Sequence, residues 1–206
     1  MMSDLPDTLP IFPLSGVLLL PRGELPLHIF EPRYKAMIDD ALGGNRMLGI
    51  VQPKECGALF EMGCAGKITT FEETQDGRYY ISLSGICRYR IEDELEDFHG
   101  YRRVKPDWSK FSDDLDPAGC LDLDRGKLKE MLGNYFDLHD IDCDWSLVDG
   151  AADERLITCL SMVCPFDAGE KQALLEAECC HERSRLFFTM LEMAVRSGTK
   201  PNSIQH

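Results

Sequence analysis

No run of apolar side chains in this sequence is long enough to cross a lipid bilayer. The longest continuous run, Val17 to Leu20, falls far short of the roughly 18 apolar residues that a membrane-spanning helix needs. The opening residues, "MMSDLPDTLP", contain neither the basic nor the apolar segment of a secretory signal peptide. We therefore expect a soluble, cytoplasmic protein that has no membrane partner.

Positive charge is also scarce, because 22 Lys and Arg face 36 Asp and Glu, for a net charge of −14. Residues 107–154 hold 14 acidic and 4 basic residues, so this stretch alone contributes 14 − 4 = 10 of the excess negative charges. Binding to a phosphate backbone or to anionic lipid needs the opposite sign, so we predict no nucleic-acid partner. We interpret the acidic stretch as a solvated connector, and a docking site for a basic partner is the alternative.

Local signatures of nucleotide binding and nucleophilic catalysis are missing as well. The segment "GCAGKIT" has a Gly-Lys pair, but a phosphate-binding loop needs Gly where Glu61 stands and Ser or Thr where Ile68 stands. No G-x-S-x-G pattern occurs, and the five histidines are scattered along the chain. We therefore predict that the chain is not an enzyme.

The nine cysteines do not form the paired Cys-x-x-Cys motifs of a structural zinc site. The nearest grouping is Cys159, Cys164, Cys179, Cys180 and His181. A spacing of five places the first two on different faces of a helix, and adjacent cysteines point apart. We therefore predict buried thiols, with no metal and no cofactor.

The first hundred residues carry the signals of β-structure. In "GRYYISLSGICRYRIED" apolar and polar side chains alternate, which predicts a strand with one buried and one wet face. Asp76-Gly77 separates this segment from the strand-like "KITTFEET", so we predict an antiparallel hairpin with a tight type I′ turn. The segments "RMLGIVQP" and "HGYRRVKPDW" predict two more short strands, and strands so short and numerous suggest a barrel or sandwich.

One helix is predicted within this β region. Pro32 suits a first helical position, where the missing N–H costs nothing. Tyr34, Met37, Ile38 and Ala41 then follow at helical spacing, and Gly43-Gly44 ends the run.

The remainder of the chain is predicted to be helical after an acidic linker at 107–121. Apolar side chains recur at helical spacing from Leu121 to Tyr135 and from Ala152 to Val163. Asp167 and Glu170 form a capping-box pattern, and the final helix presents Met190 and Met193 on one face. We predict an α+β protein with a β subdomain at 9–106, the linker at 107–121 and a helical bundle at 122–197.

Two long segments resemble a known family. "LPIFPLSGVLLLPRGELPLHIFEPRYKAMI" and "LITCLSMVCPFDAGEKQALLEAECCHERSRLFFTMLEMA" are similar to the N-terminal, substrate-binding domain of the ATP-dependent protease Lon, and most of all to stand-alone LON-domain proteins. The resemblance extends from about Leu9 to Arg196. It implies a PUA-like β pseudo-barrel followed by a helical bundle.

The resemblance also implies a function. Because the ATPase and the protease of Lon lie in other domains, we expect a non-catalytic module that binds a polypeptide substrate or a partner protein through exposed apolar surface or a groove. Such a module would be accessory to proteolysis or protein quality control. PUA-like folds often bind RNA, but the net charge of −14 argues against that role here.

The motif "HIFEPRY" supplies the candidate binding residues, which are His28, Arg33 and Tyr34. In the alternative hypothesis of a small-molecule-binding protein or enzyme, His28 is a base and Arg33 an anion clamp. A purely structural interpretation places the motif at a strand-to-helix junction. Arg33 then pairs with a carboxylate across the fold, and the Tyr34 ring packs in the core.

Overall fold

The computed structural model describes residues 4–116 and 121–198, apart from the side chain of Cys56. The chain divides into two compact units, Met1–Pro117 and Ala118–His206. Among the described residues, the strands and one α-helix lie in the first unit, and the second unit contains helices. The predicted α+β class, with a β region followed by a helical region, is confirmed.

Residues 4–116 of the first unit form six strands and one α-helix. The strands are β1 (Leu9–Pro13), β2 (Glu24–Ile29), β3 (Met47–Val51), β4 (Met62–Glu73), β5 (Tyr79–Phe98) and β6 (Tyr101–Asp107), and helix α1 (Pro32–Leu42) lies between β2 and β3. Short 3₁₀ turns occupy Glu55–Gly57 and Ser112–Leu115.

These strands form a single mixed sheet that closes on itself. The strand order is β2-β5-β4-β3-β1-β6, and β5 also pairs with β6. Strands β5, β4, β3, β1 and β6 therefore form a ring, while β2 pairs with β5 and lies at an edge. The pair β1–β3 is parallel, and the other pairs are antiparallel. This arrangement is the pseudo-barrel that the family resemblance implied.

A cluster of buried side chains that includes Tyr89 fills the closed ring of strands. Leu9, Ile11 and Val104 pack with Tyr89 in this cluster. Position 49 in β3 requires glycine, because a Cβ there would overlap the Tyr89 hydroxyl. Burial of this many apolar side chains supplies the main driving force for forming the ring.

Strand β5 shows the predicted alternation. Tyr79, Ile81 and Leu83 are buried, whereas Tyr80 is exposed. The strand continues to Phe98 and is 20 residues long, because its second half gains β6 as a partner. Arg88 departs from the pattern, since it was predicted on the wet face but is buried.

The β4–β5 hairpin is present, but the predicted type I′ turn is wrong. Such a turn needs positive φ at both central residues. Here Gly77 has a φ of 77°, and Asp76 is not among the described residues with positive φ. The Gly77 N–H donates to the Thr74 carbonyl, and the Thr74 N–H donates to the Arg78 carbonyl. The loop is therefore a wider turn in which glycine alone takes the left-handed conformation.

Helix α1 begins at Pro32, as predicted, and buries Tyr34, Met37, Ile38 and Ala41. Its first turn is entered from Glu31, whose carbonyl accepts hydrogen bonds from the N–H groups of Tyr34 and Lys35. The helix thus fixes the "HIFEPRY" motif at a strand-to-helix junction.

Part of the segment predicted as a linker packs on the first unit. Strand β6 ends at Asp107, the Trp108 indole donates to the Pro6 carbonyl, and Phe111 is buried. Residues 117–120, with Cys120, lie outside the described residues. The linker bounds 107–121 stay a prediction.

The second unit is built from five helices in its described part, residues 121–198. These are α2 (Arg125–His139), α3 (Trp145–Gly150), α4 (Asp153–Val163), α5 (Ala168–Glu176) and α6 (Cys180–Ser197). The capping box of Asp167 and Glu170 is present in both directions. Val163 and Met193 were expected on buried faces but are exposed. No helix within 4–116 or 121–198 is both long and apolar enough to span a membrane.

Candidate functional site

An open groove of about 390 Å³ crosses three strands at the edge of the sheet in the first unit. Residues 26–28 of β2, 80–82 of β5 and 70–72 of β4 line it. We call this feature the aromatic groove. Strand β2 has β5 as its one neighbour, and the final part of β4 beyond residue 68 also pairs with β5 alone, so this part of the sheet is three strands wide.

The register of the three strands aligns the side chains in rows. His28 lies opposite Tyr80, and Tyr80 lies opposite Glu72. Directly opposite residues in an antiparallel sheet share a face, with their Cβ atoms about 5 Å apart. Imidazole, phenol and carboxylate therefore stand side by side across the outer face.

His28 is held in this row by ring stacking. Its imidazole lies 4.6 Å from the Tyr80 ring centroid, at an interplanar angle of 13°. The centroid of the Phe30 ring is 5.7 Å from that of the His28 ring. The Nε2 atom of His28 is buried and has no hydrogen-bond partner in the described structure. A buried imidazole nitrogen without a partner costs free energy.

Two aromatic side chains beside His28 face solvent. Phe30 is 61% exposed and Tyr80 is 51% exposed. Single exposed apolar side chains are ordinary, but adjacent aromatic rings along a groove are typical of binding surfaces.

The opposite face of the same strands is occupied by the chain itself. Tyr79 lies opposite Glu73, and its ring packs against Phe71 at 5.0 Å. The Lys35 ammonium group of α1 lies 4.7 Å from the Tyr79 ring centroid. Burial, followed by a hydrogen bond to Asp39 and the nearby carboxylates, raises the pKa of Tyr79.

The other two predicted site residues lie at the start of α1. Tyr34 is buried, with its ring 4.1 Å from that of Phe12. The Arg33 guanidinium lies 4.5 Å from the Tyr34 ring centroid and pairs with Glu31 at 2.9 Å. Burial, which outweighs the charge of Arg33, raises the pKa of Tyr34. Arg33 therefore pairs with a near neighbour in sequence and not across the fold.

The structure brings together Arg33 and Tyr34 but not all three predicted residues. In the described part of the chain, the ring contacts of His28 are with Phe30 and Tyr80, and none is with Arg33 or Tyr34. His28 belongs to the aromatic groove, whereas Arg33 and Tyr34 form a separate contact.

The groove residues Tyr80 and Glu72 were missed by reasoning from sequence. The signal for Tyr80 was present, because the alternation in β5 assigns it to the wet face. Glu72 could have been found by counting outward from the hairpin turn, but the wider turn shifts that count.

The cysteines of the grouping from Cys159 to Cys180 differ in their exposure. Cys159 and Cys179 are exposed, Cys180 is partly exposed, and Cys164 is buried. The expectation of buried thiols is therefore wrong for Cys159 and Cys179. Across residues 4–116 and 121–198, no group of three or more His, Cys, Asp or Glu side chains is arranged to hold a metal ion.

A smaller depression of about 170 Å³ lies between α2 and α6 in the second unit. Met131, Leu191 and Val195 line it together with polar side chains. It offers little volume compared with the aromatic groove.

Comparison with known families identifies the domain. Residues 8–193 match the model of the ATP-dependent protease La (LON) substrate-binding domain. The chain belongs to this LON family. The predicted resemblance is thus confirmed over nearly the whole chain.

Curated relatives that match this LON domain include Lon proteases. It is 31% identical over 100 residues to the Lon protease of Desulfosudis oleivorans, a match that covers 45% of this chain and 12% of that protein. It is 28% identical over 101 residues to Lon protease 2 of Myxococcus xanthus, which covers 46% of this chain and 12% of that protein. The match therefore spans about an eighth of these relatives.

Solved structures agree with the fold of this LON domain. The Lon N-terminal domain protein from Xanthomonas campestris superposes with a TM-score of 0.62 and 22% identity, covering 88% of this chain and 97% of that one. The N-terminal domain of the Mycobacterium avium complex Lon protease gives a TM-score of 0.64 and 17% identity, covering 90% and 98%.

Proposed function

We propose that this LON domain binds polypeptide segments and performs no catalysis itself. The match to a substrate-binding domain over residues 8–193 supports this role. The observation that carries the proposal is the aromatic groove, because it presents the exposed Tyr80 ring and the stacked His28 imidazole on the open face of the sheet.

The groove suits an extended or unfolded segment better than a small molecule. It is open along the sheet, the exposed Tyr80 ring in its lining stacks on the His28 imidazole, and the exposed Phe30 ring lies 5.7 Å from that imidazole. Small-molecule sites usually enclose most of the ligand surface. Apolar side chains of an unfolded chain would gain by covering these rings, since burial of apolar surface is favourable.

We further propose that the domain acts in the cytoplasm as an accessory to proteolysis or protein quality control. The net charge of −14 makes nucleic acid and anionic membranes poor partners. Of the residues predicted from sequence, His28 is part of the proposed contact surface. We propose no ligand for the separate contact of Arg33 with Tyr34.

A reduced and alkylated globular protein that stays unfolded is the direct probe. Its binding to the full chain is measured by fluorescence anisotropy, and the same protein in its native, folded form is the comparison. The unfolded form should bind and the folded form should not.

Substitutions of exposed side chains test where the unfolded probe binds. Replacing both Phe30→Ser and Tyr80→Thr should weaken binding by about tenfold or more, because exposed aromatic anchors commonly dominate such interfaces. Leu147→Ser is the matched control, since Leu147 is an exposed apolar side chain of the second unit. Absence of binding to the unfolded probe, or equal losses in both variants, would contradict the proposal.

A further inference from the structure

Two tyrosine–glutamate pairs occupy neighbouring positions of the β4–β5 hairpin, one on each face of the sheet. Tyr79 lies opposite Glu73, and Tyr80 lies opposite Glu72. Because successive side chains point to opposite faces, the two pairs are built from the same two strands but face different surroundings.

The pair that faces α1 holds a cation. The Lys35 ammonium group lies 4.7 Å from the Tyr79 ring centroid, with the carboxylates of Glu73 and Asp39 close to the same tyrosine. An aromatic face beside a carboxylate is a favourable site for a cation, because the ring quadrupole and the negative charge act together.

The pair that faces the aromatic groove has no such cation. Tyr80 and Glu72 are both exposed. Among the residues that the structure describes, no Lys or Arg lies over Tyr80 or pairs with Glu72. The nearest basic side chain in sequence on this face is Arg78, and it pairs with Asp76 at 3.1 Å.

His28 completes the outer pair on its other side. Its imidazole stacks on the Tyr80 ring from β2, while Glu72 stands on β4. The stacked ring limits rotation of the Tyr80 side chain. The second face of the Tyr80 ring and the Glu72 carboxylate are therefore available together for a ligand.

We infer that the outer Tyr80–Glu72 pair binds a cationic side chain, arginine or lysine, of a bound polypeptide. The inference rests on the proposed function and specifies which segments the groove prefers: basic residues next to apolar ones. The net charge of −14 would favour the approach of such segments.

The occupant lies across the face of the sheet and does not add a strand along β2. Strand β2 is one of the two open edges of this part of the sheet, and it contains Pro26 in its middle. Proline has no N–H to donate, and in edge strands its nitrogen faces solvent, so an added strand would lose a central hydrogen bond. At the β2 side, recognition therefore relies on side chains in the groove.

The test compares two labelled peptides by anisotropy at physiological salt. Both are short Gly-Ser peptides in which two aromatic residues flank one central residue, which is arginine in one peptide and its neutral isostere citrulline in the other. The arginine peptide should bind about three to ten times more tightly, in keeping with an exposed cation–π contact assisted by a carboxylate.

Two matched variants distinguish binding at the Tyr80–Glu72 pair from general attraction of a cationic peptide to an acidic protein. Glu72→Gln should abolish the preference for arginine, whereas Glu73→Gln, with the same change of charge on the other face, should retain it. Tyr80→Leu should also reduce the preference, and circular dichroism checks that each variant is folded.

The outcomes distinguish this inference from the proposed function. If the unfolded probe binds but the arginine and citrulline peptides bind equally, the inference is wrong and polypeptide binding stands. If Glu72→Gln and Glu73→Gln reduce the preference equally, bulk charge is responsible and the inference is also wrong. If neither the unfolded probe nor any peptide binds, the proposed function fails as well.

Discussion

Arg88 and Asp114 form a buried, bidentate ion pair between strand β5 and the segment that follows β6. The Arg88 Nε and Nη2 atoms donate to the two carboxylate oxygens of Asp114, each at 2.9 Å. The Arg88 backbone N–H also donates to Asp114 at 2.9 Å. The two side chains are 7% and 9% exposed. The pair fastens a segment predicted as a linker to the barrel.

Removing one partner of this pair should destabilise the first unit strongly. Asp114→Ala leaves the Arg88 guanidinium buried without its counter-charge, and we expect a loss of about 3–5 kcal/mol in the free energy of unfolding. Urea denaturation followed by Trp fluorescence measures it, because Trp108 lies in the same segment.

Asp113→Ala is the control, since Asp113 is exposed and adjacent. It should change the stability little. The double change Arg88→Met with Asp114→Leu should lose less than Asp114→Ala, because no charge is left buried alone. Equal losses for Asp113→Ala and Asp114→Ala would show that the ion pair is unimportant.

Asp40 should give the first unit a small acid-sensitive contribution to stability. Its burial alone would raise its pKa, but hydrogen bonds from His99 and Tyr101 hold the pKa below its usual value of 3.8. Because the folded pKa is lowered, the stabilisation is present above pH 3.8 and is lost as the pH falls through the folded pKa.

We expect Asp40→Asn to lower the stability by about 1 kcal/mol or less at neutral pH, since the carboxylate is partly exposed. The difference from the unchanged protein should shrink in strongly acidic solution. Urea unfolding at several pH values measures it. A difference that grows on acidification would have the wrong sign for this mechanism.

Two glycines should respond oppositely to alanine. A Cβ at Gly85 of β5 would overlap the Leu20 carbonyl oxygen, which is backbone and cannot rotate away. Gly85→Ala should therefore lower the stability by about 3 kcal/mol, as overpacking does. In α2, a Cβ at Gly133 meets nothing within 4 Å, so Gly133→Ala should raise the stability by about 0.5–1 kcal/mol. Thermal unfolding of both variants measures these two changes in stability. Unchanged stability of Gly85→Ala would contradict the close approach of the Leu20 carbonyl to Gly85.

The rate of alkylation should differ between exposed and buried cysteine thiols. Burial, together with the Asp114 charge, raises the pKa of Cys87 to about 12, and burial raises that of Cys164 to about 12. Because the thiolate is the reactive form, iodoacetamide at neutral pH should label exposed Cys159 and Cys179 well before these two. Peptide mass mapping over time measures the rates, and labelling in denaturant should remove the difference. Fast labelling of Cys87 in the folded protein would contradict its burial.

Features that depend on neighbouring residues in sequence were predictable. The alternation in β5, the start of α1 at Pro32 and the capping box of Asp167 and Glu170 each follow from side chains within a few positions of one another. Local rules suffice there, because the partner groups belong to the same strand or helical turn.

Features that depend on distant partners were not predictable. Arg88 was predicted on the wet face, since nothing near it in sequence supplies the carboxylate of Asp114, 26 residues later. His28 was a candidate for its chemistry alone, whereas its role in the groove comes from the register that places it opposite Tyr80. Single-residue shifts in register exchange the two faces of a strand, so this kind of site cannot be derived from composition.

Strand β5 serves two purposes at once, because its first part forms the floor of the aromatic groove and its second part closes the ring with β6. The proposed recognition surface is thus continuous with the strand that closes the ring. Rings held on such a strand are already in place before a polypeptide arrives, so the entropy of ordering falls on the incoming chain. In the proposed function, the groove is therefore formed by the fold itself, and the bound polypeptide is the component that becomes ordered.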